Sequence, residues 1–108
     1  MESSILKIYI SSTDKTDTDL LYEHIVRKAK EHGLSGATVY RGIMGYGPSS
    51  KHINTSKHWE LTEKLPVVIE LIDSTQAINK FYKDMEDEFF FFLKGCLVTI
   101  QPIDIKLY

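Results

Sequence analysis

Between Gly36 and Gly47 a β-branched segment, GATVYR, runs into three glycines, Gly42, Gly45 and Gly47. Glycine inside a strand weakens it and marks a bulge, a bend, or the close approach of another backbone or a ligand. Three of them in one strand serve packing poorly. The backbone here is therefore expected to bend sharply and to hold or present something, which restricts the folds open to the rest of the chain.

Upstream, Leu6, Ile8 and Ile10 alternate with Lys7 and Tyr9, a period of two that predicts a strand from Ile5 to Ser11. The polar run after it offers Thr16, Asp17 and Thr18 as helix N-caps. Leu21, Ile25 and Ala29, with Tyr22 and Val26 beside them, make one helical stripe. Lys28, Lys30 and His32 suit the negative end of that helix, and Gly33 is placed to stop it. Beyond the glycines, PSSKHINTS (residues 48–56) is polar and lacks a period, which predicts a flexible loop.

Residues 66–72, PVVIELI, form the clearest strand. Asp73 or Ser74 can cap a second helix whose stripe is Ile78, Phe81, Tyr82, Met85, Phe89 and Phe92, with Gly95 ending it. A last strand from Leu97 to Ile100 is expected to break at Pro102 and resume from Ile103 to Leu107. The order is β-α-β-β-α-β. That defines an α+β, ferredoxin-like domain: a four-stranded antiparallel sheet with both helices on one face.

Such a sheet has a bare second face, which should be polar if it meets water. Here apolar residues occupy both faces. Val67, Ile69 and Leu71 alternate with Val68 and Ile72, Val98 and Ile100 with Leu97, and Tyr9 opposes Leu6, Ile8 and Ile10. A patch of that size marks an interface. Further copies of the chain are its expected cover. The four consecutive aromatics Phe89–Phe92 point around most of a helix, so subunit contact is expected there too.

At 108 residues the chain is read as a single domain, 1–108. No run approaches a membrane span, and residues 1–4 lack the basic and apolar regions of a signal peptide. The lone Cys96 cannot form an internal disulfide, which points to a reducing, cytoplasmic setting. With a net charge of −2 and no basic cluster beyond residues 27–30, bulk nucleic-acid binding is excluded, but a small anion is not.

Arg41 with Gly42, Gly45 and Gly47 is the first chemical candidate. Backbone N–H groups in a glycine-rich bend can cradle phosphate, and an arginine can grip it bidentately. A bulged strand bending around a neighbour needs the same glycines, and neither the P-loop nor the Rossmann fingerprint is present. His52 and His58, with Glu60 nearby, are metal candidates whose spacing fits no standard helix or knuckle. The acidic run 84–88 reads as a solvated helical face. Cys96, flanked by apolar residues, reads as a small buried side chain. No nucleophile–base pair can be named, so an enzyme is not expected. Among other users of this fold, RNA-recognition domains need aromatics on the strand that here reads PVVIELID. SSTDKTDTD also lacks the glycine and arginine of an acylphosphatase loop.

LYEHIVRKAKEHGLSGATVYRGIMGYG and LPVVIELID carry a closer likeness. They resemble the GLxGATVxRGIxGFG and LPVVIEIVD segments of PII-like proteins grouped as domain of unknown function 190, relatives of the nitrogen-regulatory PII and CutA proteins. The likeness covers nearly the whole chain. It implies a homotrimer with sheets facing inward and an adenine nucleotide bound in clefts between subunits. It also implies a loop after the second strand that docks onto a transporter or enzyme, without nucleic acid or membrane insertion.

Carried onto this sequence, the ligand site is Arg41, Gly42, Gly45, Tyr46, Gly47, Lys94 and Lys106. The partner loop runs from Pro48 to Lys57 and includes Ser49, Ser50, Lys51 and His52. The relatives' arginine and glutamine after GFG are here Pro48 and Ser49, and their turn lysine is displaced to Lys94. Of two late basic residues only Lys106 remains, the other position being Tyr108. This thinner charge favours AMP or ADP over ATP. The CutA likeness implies instead a divalent-metal protein using His52 and His58.

Overall fold

The computed structural model describes residues 2–55 and 64–108, apart from the side chains of residues 89–91. The elements are β1 (Ser3–Ser11), α1 (Leu21–Glu31), β2 (Gly36–Arg41), β3 (Met44–Gly45), β4 (Asn54–Thr55), β5 (Pro66–Ser74), α2 (Thr75–Leu93) and β6 (Leu97–Ile103). Four strands form one antiparallel sheet in the order β2-β5-β1-β6, while β3 and β4 pair as a separate two-stranded ribbon. This is the ferredoxin-like arrangement, with the first and third long strands central.

Strand alternation decides what each face meets. Leu6, Ile8 and Ile10 of β1 and Val67, Ile69 and Leu71 of β5 point to one side and are buried under the helices. Leu21, Ile25 and Ala29 of α1 and Ile78, Phe81 and Met85 of α2 close over them, so both stripes expected from the sequence are core stripes. Phe92 packs on the margin of this core. The side chains of Phe89–Phe91, where subunit contact was expected, lie outside the described set.

The opposite face is open. Its outermost row is apolar and half exposed: Tyr40, Val68, Tyr9 and Leu97, side by side across all four strands. The next row is polar, Thr38, Glu70, Lys7 and Thr99, with Lys7 Nζ 3.8 Å from Glu70 Oε2. Ile72 and Ile5 follow, flanked by Gly36 and Gln101. The two-faced strands are as expected, but an ion pair interrupts the apolar patch.

The helix ends show which local signals prevailed. Ser74 caps α2, its Oγ accepting from Ala77 N–H at 3.1 Å, and Gly33 follows α1 with φ +75°. None of Thr16, Asp17 and Thr18 caps α1. Its N-cap is Leu20, which has no side-chain cap, and the carbonyl of Asp14 accepts from Leu21 N–H at 2.8 Å instead. Thr16 is occupied in its own turn, where its Oγ1 accepts from Asp19 N–H at 3.0 Å. Asp84, in the run read as a solvated face, ties the helices together: its Oδ2 lies 3.2 Å from Nε2 of His32, the C-cap residue of α1, and 3.0 Å from Lys80 Nζ.

Two further expectations are corrected. β6 runs through Pro102 without a break and ends at Ile103, so the expected strand Ile103–Leu107 is absent beyond that one residue: residues 104–107 form no strand. β6 is an edge strand paired with β1 alone, so the missing N–H can face solvent at no cost to the ladder. The glycines also do not share one strand. β2 ends at Arg41, Gly45 lies in β3, and Gly42 and Gly47 lie outside strands.

Candidate ligand-binding site

Close approach by a neighbour accounts for two of the glycines. A Cβ on Gly42 would stand 2.8 Å from Pro66 Cγ, and one on Gly45 would stand 3.2 Å from the same atom. Gly42 N–H donates to the Pro66 carbonyl at 2.7 Å. The chain leaving β2 thus crosses the first residue of β5 at contact distance, and this crossing sets the root of the β3–β4 hairpin. Gly47 has nothing within 4 Å of such a Cβ, and its N–H donates to Ser50 Oγ at 3.0 Å. Two of the three backbone donors expected to meet a ligand, those of Gly42 and Gly47, are therefore spent within the chain.

Beside the hairpin root lies a cavity of about 310 Å³. Four segments wall it: the end of β1 with the loop that follows, Gly45–Ser50 of the hairpin, Lys64–Val67 at the start of β5, and Lys94–Cys96 after α2. Of the site expected from sequence, Gly45, Tyr46, Gly47 and Lys94 line this cavity, as do Pro48, Ser49 and Ser50 of the loop. Arg41, Gly42, Lys51, His52 and Lys106 do not. Lys106 pairs instead with Asp104, at 3.0 Å, in the segment beyond β6. Lys57 and His58 lie outside the described residues, so the His52–His58 pair is not visible as such. Among the described residues no three His, Cys, Asp or Glu side chains gather as metal ligands.

Sequence reasoning missed Tyr9, Asp14, Lys15, Lys64 and Cys96 in the lining. Their signal is topological. The β1–α1 loop reaches the cavity because Ser12 exchanges hydrogen bonds with Leu65: Ser12 N–H to the Leu65 carbonyl at 2.8 Å and Leu65 N–H to Ser12 Oγ at 3.0 Å. Asp14 is held by accepting from Ser11 N–H at 2.8 Å. On the far wall, Gly95 has φ +86°, and its Cβ position would lie 3.3 Å from Ser49 Cβ, so the hairpin rests on that turn.

Burial, helped by the negative charge of Asp14, pushes the Cys96 thiol up to about 11. It stays protonated near neutrality and lacks the thiolate that nucleophilic chemistry needs. Tyr46 is three-quarters exposed at the rim and Tyr9 a third exposed, leaving two aromatic rings beside the opening. Rings at the mouth with lysines on the walls suit a ligand having a flat apolar part and an anionic part. Among the described residues no helix is long and apolar enough to cross a membrane.

The fold is ferredoxin-like, and solved structures of PII-like proteins share it. A nitrogen regulatory PII-like protein, CPII, from Thiomonas intermedia, bound to ADP, AMP and bicarbonate, superposes with TM-score 0.67 at 16% identity, covering 97% of this chain and 89% of that one. A putative PII-like signaling protein from Thermus thermophilus gives 0.60 at 18% identity, over 94% and 87%.

The chain belongs to the DUF190 family, described as "Uncharacterized ACR, COG1993", whose profile matches residues 3–105. A UPF0166 protein of Aquifex aeolicus is 31% identical over 105 residues, covering 97% of this chain and 94% of that protein. Another, from Methanocaldococcus jannaschii, is 41% identical over 80 residues, covering 74% and 72%.

Proposed function

We propose that this protein is a PII-like regulatory protein of the cytoplasm that assembles as a homotrimer and binds an adenine nucleotide at the root of its β3–β4 hairpin. The observation that carries the reading is the double wall of the cavity. One side is the hairpin root, Gly45–Ser50, and the other is the turn after α2, Lys94–Cys96. A ligand held between them bears directly on the hairpin, so binding biases the Pro48–Lys57 loop and its fit to a transporter or enzyme partner. The CPII structure with ADP and AMP supports the nucleotide class.

The trimer rests on the open sheet face. The row Tyr40, Val68, Tyr9 and Leu97, together with Ile72, is apolar area that a second copy would remove from water. In that assembly Arg41 and Lys106, which do not line the cavity of their own chain, are available to a ligand from an adjoining subunit. No catalytic step is assigned. Calorimetry with AMP, ADP and ATP tests the nucleotide: saturable heat below millimolar concentration is expected for at least one, and none from all three overturns it.

A further inference from the structure

Strand alternation puts two charged side chains on the open sheet face, Lys7 of β1 and Glu70 of β5. They are neighbours on the two central strands, between the apolar row Tyr40, Val68, Tyr9 and Leu97 and the row that holds Ile72. Thr38 and Thr99 flank them on the edge strands. The rows of this face thus carry one cation and one anion, with no net charge.

Their pairing within the chain is loose. Lys7 Nζ lies 3.8 Å from Glu70 Oε2, beyond hydrogen-bond length, and neither group makes a hydrogen bond among the described residues. The ammonium keeps its three donors and the carboxylate its acceptors. Side-chain exposures of 31% and 24% leave both groups partly hydrated. A surface laid over the face removes that water. The Coulomb attraction of a buried pair offsets this loss only when further hydrogen bonds satisfy both ions.

That requirement selects the cover. An apolar surface strands both ions, and a surface of one sign satisfies one of them and repels the other. A second copy of this chain brings apolar rows to meet apolar rows, with one carboxylate and one ammonium between them. We infer that Lys7 and Glu70 pair between copies, the ammonium of each against the carboxylate of the next, and that this exchange makes the face specific for its own chain. Around a three-fold axis every Lys7 then finds a Glu70 and no charge is left over. The inference rests on the trimer reading, which itself needs only the apolar area.

Charge reversal tests it, by sedimentation equilibrium of the full chain and native mass spectrometry of mixtures. K7E gives the face two anions and E70K gives it two cations. Each variant alone should assemble about a hundredfold more weakly than the wild type, or worse. Mixed in equal amounts they should form species that contain both chains, because opposite charges then meet at two of the three boundaries. The double reversal K7E/E70K should assemble like the wild type. Circular dichroism and thermal melting establish folding. Should a reversal not fold, K7Q and E70Q take its place, and each should weaken assembly about tenfold. Reversed or neutral variants that assemble as well as the wild type overturn the inference while the trimer stands. So does a mixture that stays dissociated, which confines the pair to one chain. A wild-type monomer overturns the inference and the trimer reading together.

Discussion

Replacing Gly42 by alanine tests whether the hairpin root is fixed by packing. The added methyl would sit 2.8 Å from Pro66 Cγ and 3.4 Å from the Pro66 carbonyl oxygen. The proline ring cannot swing aside, and Pro66 is held through its pairing with Ser11 and its hydrogen bond from Gly42 N–H. Overpacking of this kind costs about 1–3 kcal/mol. Against it stands a gain of about 0.4–1 kcal/mol from restricting the unfolded chain. The net is a loss of about 1–2 kcal/mol, and at about 4–8 °C per kcal/mol for a small domain it lowers Tm by roughly 4–16 °C.

Gly45→Ala, with 3.2 Å to the same Cγ, should lose less, and Gly47→Ala, facing open space, should lose nothing. Urea and thermal unfolding at one protein concentration measure the series. Adding Pro66→Ala to Gly42→Ala should recover part of the loss, a coupling that a double-mutant cycle reads. If Gly42→Ala proves as stable as Gly47→Ala, the close-approach explanation of these glycines is wrong.

Three other outcomes follow from local chemistry. Burial alone would raise the Asp73 carboxyl, but hydrogen bonds from Ser74 and Ser35 outweigh it and hold it below the ordinary range. A depressed carboxyl contributes stability above its unfolded pKa of about 3.9, and that contribution is lost as pH falls through the folded value. Urea midpoints followed downward from pH 6 should therefore show a shallower acid limb in Asp73→Asn. Cys96, held near 11, should react with iodoacetamide much more slowly at pH 8 than a free thiol, and a rate matching free cysteine would contradict its burial beside Asp14. Ser74→Ala removes the α2 cap and should cost about 1 kcal/mol in chemical unfolding.

What the sequence made legible is what short periods encode. Alternation along Leu6, Ile8, Ile10 and along Val67, Ile69, Leu71 gave strands and their buried side, and the Leu21–Ile25–Ala29 and Ile78–Phe81–Met85 spacings gave helix faces. Ser74 and Gly33 were readable because their hydrogen bonds and φ are local. Contacts between distant segments were not readable. The α1 N-terminus is served by the carbonyl of Asp14, so three good capping residues in sequence went unused.

β4 is two residues long, too short to carry any period within the polar stretch expected to be a loop. Pro102 misled because a sequence does not say which strand lies at the edge. Lys15 and Lys64 belong to no motif. They join Lys94 in the cavity lining only after β1 and β5 have paired and Ser12 has bonded Leu65. The resemblance supplied Gly45, Tyr46, Gly47 and Lys94, but it also carried Arg41, Gly42 and Lys106, which do not line the cavity of a single chain.

Burial of the open sheet face between three copies is the claim that most of the proposed function depends on. Sedimentation equilibrium at micromolar concentration tests it most directly. A species of three times the 12.4 kDa chain mass is expected, dissociating when Tyr9, in the row it shares with Tyr40, Val68 and Leu97, is replaced by glutamate. A single species at 12.4 kDa would contradict it.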